Sequence, residues 1–163
     1  MTYGKTERVL AILAVVTAVG IATFWIGFFT VGLAPEKPPA CYFAYEHSFP
    51  LPDGLLALAL FVAGLLTLAG RASGRALLLV CSGALVFLGL LDAAFNFQQG
   101  VYRTSTMDLV LNGSINLFCV AFGVLLALRF AHAAGAGSST GPNAPTREPS
   151  VLPRKQRDAC TTR

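Results

Sequence analysis

VLAILAVVTAVGIATFWIGFFTVGLA, residues 9–34, runs without one charged side chain. A helix crossing a hydrocarbon core about 30 Å thick needs roughly 20 apolar residues, and this run exceeds that. Three more uncharged apolar runs follow, at residues 54–70, 76–91 and 109–128. No soluble domain of 163 residues needs four of them, so the solvent is lipid. Lipid leaves no partner for an open backbone group, so each crossing must be a helix. The third run extends to residue 97 through Phe95 and Phe97, and the fourth reaches residue 130. The expected fold is all-α: a four-helix transmembrane bundle of up-and-down topology, with spans at about 9–34, 54–70, 76–97 and 109–130 inside a domain of residues 1–132. Residues 133–163, rich in Gly, Ser, Thr, Pro and Ala with scattered Arg, read as a disordered basic cytoplasmic tail.

Composition supports this class. Hydrophobic residues make up 55% and charged residues 12%, against about 25% charged in an ordinary soluble domain. The net charge of +4 could suggest nucleic acid. The basic residues are instead concentrated in the tail and form no basic helix, so no nucleic-acid partner is expected. A signal peptide is the lesser reading of the first run, which is far longer than the usual apolar region of about 7–15 residues. Pro38 and Pro39 before Cys41 also make a poor cleavage site.

Charge sets the expected orientation. Lys5 and Arg8 precede the first span, Arg71 and Arg75 fill the turn between the second and third, and Arg129, Arg147, Arg154, Lys155, Arg157 and Arg163 follow the fourth. Only Lys37 and Arg103 fall on the other side. The positive-inside rule then puts both termini in the cytoplasm, with a bacterial inner membrane as the expected location. The loop 35–53 lies outside, and its Tyr42, Phe43, Tyr45 and Phe49 suit the depth of the membrane interface. Pro50 and Pro52 should open the second helix with Asp53 as its cap.

Helix association in lipid relies on close approach and polar contacts. Gly20, Thr23, Gly27 and Thr30 share one face of the first helix and are expected to meet another helix. Ala59 and Ala63 offer the same on the second helix, and Gly83 and Gly89 on the third.

The polar residues inside the spans carry the functional reading. Asp92, Asn96 and Gln99 share a face of the third helix, and Asp108, Asn112 and Asn116 share one on the fourth. At 1.5 Å per residue, Asp92 lies about 24 Å from the inner edge of the core and Asn116 about 10–12 Å below the outer surface. The two stripes therefore sit at matching depth. An ionisable residue costs about 2.5–3.5 kcal/mol at the centre of a span, so Asp92 should face the bundle or a wet cavity. The candidate site is an outer-leaflet pocket lined by Asp92, Asn96, Asn112 and Asn116, with Glu46 and His47 closing it from above. Asp108 reads as a helix cap. The competing account makes the amides helix–helix contacts at about 0.6 kcal/mol each.

Other chemistry is poorly supported. No C-x-x-C occurs, and Cys81 and Cys119 read as small packing residues. Two His residues are too few for a metal centre, and no cofactor is implied. No Ser-His-Asp order, phosphate loop or dinucleotide fingerprint appears. The leading expectation is a multi-pass protein binding a small molecule or lipid in its polar pocket, as part of a transport unit, with membrane lipid, a second copy or a larger membrane protein as partner. The alternatives are an accessory or assembly subunit with purely structural polar contacts, and a lipid-modifying enzyme using Asp92 or Glu46 as acid or base.

Overall fold

The computed structural model describes residues 4–33 and 38–137, and side chains up to residue 131. The described residues form five α-helices: α1 (Lys5–Val31), α2 (Tyr42–Glu46), α3 (Pro50–Leu68), α4 (Ala72–Gln98) and α5 (Thr106–Gly137). A single 3-10 turn, Val101–Arg103, joins α4 to α5. The four long helices run up and down and enclose one core. Leu10, Ala14 and Ala18 of α1 meet Leu56, Leu60 and Ala63 of α3, Leu78, Cys81 and Leu85 of α4, and Cys119, Phe122 and Leu126 of α5.

Four stretches, Lys5–Val31, Tyr42–Leu68, Ala72–Gln98 and Thr106–Ala131, are long and apolar enough to cross a membrane. At 1.5 Å per residue a 27-residue helix such as α1 is about 40 Å long, which exceeds the core thickness. The outward face of each is also apolar. Val16, Ile26 and Phe29 on α1, Leu55 and Leu58 on α3, Val80 and Phe87 on α4, and Leu117 and Leu128 on α5 are all exposed. A belt of this kind belongs against acyl chains. The chain is a multi-pass helical membrane protein.

Local chemistry explains the helix ends. Gly32 adopts φ 78°, a left-handed conformation that stops α1. Pro50 and Pro52 fall in the first turn of α3, where a missing N–H costs nothing. The Ser105 hydroxyl accepts from the Asp108 N–H at 3.0 Å and donates to the Asp108 carboxylate at 2.9 Å. This reciprocal pair caps α5, with Asp108 serving as the partner of the cap.

Helix pairing depends on a few small residues. The most extensive contacts join α4 to α5 and α1 to α3. A Cβ on Gly89 would come within 2.9 Å of the Asn116 carbonyl oxygen, and one on Gly123 within 2.8 Å of that of Ser82. These reciprocal notches let α4 and α5 approach closely. Gly64 plays the same part for α3 against Ala11 of α1.

Four expectations are corrected. The Gly20, Thr23, Gly27, Thr30 face does not meet another helix: Gly20, Thr23 and Thr30 are exposed. Thr23 and Thr30 donate to the Val19 and Ile26 carbonyls of their own helix at 2.8 and 2.6 Å, which satisfies them without a neighbour. The packing face of α1 is instead Leu10, Ala11, Ala14 and Ala18, continued by Trp25 and Phe28. Of the two α4 glycines, Gly89 is packed and Gly83 has nothing near it. Asp53 makes no cap bond, because α3 begins at Pro50 and leaves Asp53 inside the first turn. The expected tail of residues 133–163 divides. Helix α5 continues to Gly137, and residues 138–163 lie outside the described residues.

Candidate functional site

The end of the bundle away from the N-terminus gathers most of the polar side chains. Asp92 sits near the end of α4, half-buried, and accepts from Asn96 Nδ2 at 3.0 Å. The spacing of four residues puts both on one helix face. Asn96 is only 2% exposed. Asn116 of α5, 5% exposed, donates to the Tyr102 hydroxyl at 2.8 Å and lies within hydrogen-bonding reach of Asp92. Asp92, Asn96 and Asn116 are therefore brought together across the α4–α5 interface. Asn112 is not part of this group: its amide turns back to the Asp108 carbonyl at 3.0 Å.

Helix α2 lies over this end. Its Tyr42 is buried among Trp25 and Phe28, with Phe49 and Phe95 packed alongside. Its Tyr45 ring stacks on Phe95 of α4, with centroids 3.6 Å apart and planes 4° from parallel. This aromatic seam holds α2 down and aims Glu46 inward. Glu46 is half-buried, lies beside the Tyr42 hydroxyl and is close enough to Asp92 and Asp53 to feel both charges. The Tyr45 hydroxyl is buried and makes no hydrogen bond among the described residues.

His47 points elsewhere. It is exposed, its Nδ1 donates to the Phe43 carbonyl at 2.6 Å, and its ring packs edge-on against Phe28 and Phe29. With Gly32, Leu33 and Phe43 these residues line a separate shallow pocket of about 220 Å³. Adjacent residues thus serve different surfaces, Glu46 the polar niche and His47 an apolar recess.

Two features were missed by the sequence reading. The first is Asp53, 8% exposed, whose carboxylate accepts from the Trp25 indole Nε1 at 3.0 Å. This bond ties α3 to α1 and adds a third carboxylate to the niche. A Trp and an Asp at interfacial depth on consecutive spans give only a faint hint of it, because the bond depends on how two helices rotate. The second lies at the opposite end. Glu7, 5% exposed, bridges Arg75 of α4 and Arg129 of α5, each at 3.2 Å. Its signal was a lone acid in an otherwise basic flank.

Glu46, Asp53 and Asp92 come from three different elements and have no Lys, Arg or His within ion-pair distance among the described residues, whose ion pairs are those of Glu7 at the opposite end. No group of three His, Cys, Asp or Glu side chains among the described residues is disposed to hold a metal ion. What the niche offers is hydrogen bonding: carboxylate acceptors, amide donors from Asn96 and Asn116, phenols from Tyr42, Tyr45 and Tyr102, and rings on its flank. Cys81 and Cys119 are buried in the core. Compared with family models, with curated proteins and with solved structures, the chain finds no match.

Proposed function

We propose that this membrane protein binds a small molecule or lipid in the polar niche formed by Glu46, Asp53, Asp92, Asn96 and Asn116. The observation carrying this reading is the convergence of three carboxylates from α2, α3 and α4 with no cationic side chain beside them among the described residues. Carboxylates are a costly way to join helices in lipid, and amides or hydroxyls would join them at lower cost. Asp92 and Glu46 are only half-buried, so each keeps surface that a ligand could cover. A ligand donating hydrogen bonds would complete the niche, including the acceptor capacity of the Tyr45 hydroxyl. By the charge rule, the niche faces outward and both termini lie in the cytoplasm, in keeping with a bacterial inner membrane. Four spans are few for a self-sufficient carrier, so a second copy or a larger partner would complete a transport unit.

A second reading is favoured by one contact. The Trp25–Asp53 bond is a direct tie between α1 and α3 and needs no ligand. On that account the protein is an accessory subunit whose polar groups only set helix contacts. Mass spectrometry of species retained after gentle purification separates the two. The binding reading expects a specific small molecule or lipid on the native protein that is lost from folded Asp92→Asn and Glu46→Gln variants. Identical retained species in all three proteins, with lower melting temperatures in the variants, would establish the structural reading instead.

A further inference from the structure

The two ends of the bundle carry opposite charge. Among the described residues, Glu46, Asp53, Asp92 and Asp108 face Arg103 at one end, while Lys5, Arg8, Arg71, Arg75 and Arg129 face Glu7 alone at the other. Glu7 holds the last two arginines together, one on each carboxylate oxygen at 3.2 Å. Counted over these three side chains, two guanidiniums face one carboxylate. The Arg75 and Arg129 side chains remain 28% and 38% exposed, and Lys5, Arg8 and Arg71 are exposed as well.

The position of this basic ring matters as much as its sign. Arg8 is followed directly by Val9, 55% exposed, and Arg129 is preceded directly by Leu128, 57% exposed. The charges therefore stand at the border of the lipid-facing belt, where phosphate groups of a bilayer lie. Guanidinium groups match phosphate oxygens with paired, charge-assisted hydrogen bonds. The charges come from α1, the α3–α4 turn, α4 and α5, so one headgroup can bridge several helices.

We propose that this end of the bundle is a docking surface for anionic phospholipid headgroups, with Arg8, Arg71, Arg75 and Arg129 supplying the phosphate contacts. The surface is independent of the niche at the other end. It holds the α1 and α4 starts against α5 and favours the leaflet richer in anionic lipid. Basic residues near such a surface contribute about 1 kcal/mol each, or about fivefold in affinity.

The test uses the purified full-length protein in mild detergent. Phosphatidylglycerol and phosphatidylcholine with the same acyl chains are added separately, bound lipids are counted by native mass spectrometry, and melting temperatures are recorded. The comparison protein is Arg8→Gln/Arg71→Gln, which leaves the Glu7 pairs intact; if it proves unstable, each single variant serves. The expected result is preferential retention of phosphatidylglycerol with a raised melting temperature. That preference should fall tenfold or more in the double variant and shrink in about 1 M salt, where the Debye length is about 3 Å. Basic residues of the tail are common to both proteins, so the difference reports on the bundle end. Equal retention of the two lipids overturns the proposal, as does a phosphatidylglycerol preference unchanged by the double substitution. A melting shift reproduced by inorganic phosphate alone overturns the assignment to a lipid.

Discussion

Asp53 shows how one buried acid can decide a local structure. Its carboxylate accepts from the Trp25 indole, and both residues are buried. Trp25→Phe keeps most of the ring packing against Phe24 and Phe28 but removes the donor. Leaving a buried acceptor unpaired costs about 1–3 kcal/mol. Thermal unfolding in detergent should therefore show Trp25→Phe destabilised by about that amount, and Trp25→Phe/Asp53→Leu should recover part of the loss. Equal stability of Trp25→Phe and the native protein would mean that water replaces the indole. Glu7 poses the converse case. Glu7→Gln leaves two guanidiniums side by side. The loss should reach about 1–3 kcal/mol, below the 3–5 of a fully buried pair because both arginines touch water. Arg129→Gln in the same protein should restore some stability by relieving that repulsion. An additive double variant would show that the triad does not act as a unit.

These residue-scale features also show what the sequence disclosed. The Asp92–Asn96 bond could be read directly, because a four-residue spacing on one helix fixes it without reference to any neighbour. Asn116 joined them because its depth could be computed from the helix rise. Asp53–Trp25 and Glu7–Arg75–Arg129 link different helices, so they depend on helix rotation, which period and hydropathy leave open. Asn112 bonds elsewhere for a related reason. Its own helix offered a carbonyl, and that local bond won. His47, the C-cap of α2, lies one position beyond Glu46 and its ring packs against Phe28 and Phe29 instead of beside Glu46.

At the scale of elements, glycine placement separates packed from idle positions. Gly89 and Gly123 lie where α4 and α5 touch, and an added Cβ at either would meet backbone at 2.8–2.9 Å. Gly89→Ala and Gly123→Ala should each destabilise by about 1–3 kcal/mol, as overpacking does. Gly83→Ala and Gly113→Ala meet nothing within 4 Å. They should be neutral or stabilising by up to about 1 kcal/mol through helix propensity. Melting temperatures of the four variants check the pattern, and a reversed order would mean that α4 and α5 are packed differently. The Gly20–Thr30 face of α1 carries a further lesson. Its spacing suggested a helix contact, yet its threonines are satisfied along their own backbone. Small-residue spacing identifies a face that can be approached closely and leaves open whether anything approaches it.

For the whole molecule, the belt of exposed apolar side chains fits a helical bundle that crosses a bilayer, and the charge difference between its ends is what supports the proposed orientation. The four crossings were legible because charges bracket each apolar run. Their ends moved by a few residues because caps, glycine and proline set them, as at Gly32 and Pro50. The proposed orientation is open to a direct check. Cys41 is exposed, and Cys81 and Cys119 are buried. In a Cys160→Ser variant, a membrane-impermeant maleimide applied to intact spheroplasts should label Cys41. Labelling only after lysis would place α2 and the niche on the cytoplasmic side.

The bridge from Glu7 to Arg75 and Arg129 has a consequence for synthesis. The ribosome delivers α1 and α3 first, and they can zip together through Gly64 before α4 exists. During that interval the first hairpin carries an acid whose counter-ions have not yet been made. Arg75 arrives with the next turn, and Arg129 only when the last crossing is nearly finished. The newborn protein is therefore latched shut from its oldest end by its youngest helix, and a chain stalled before Arg129 emerges has only half of that latch.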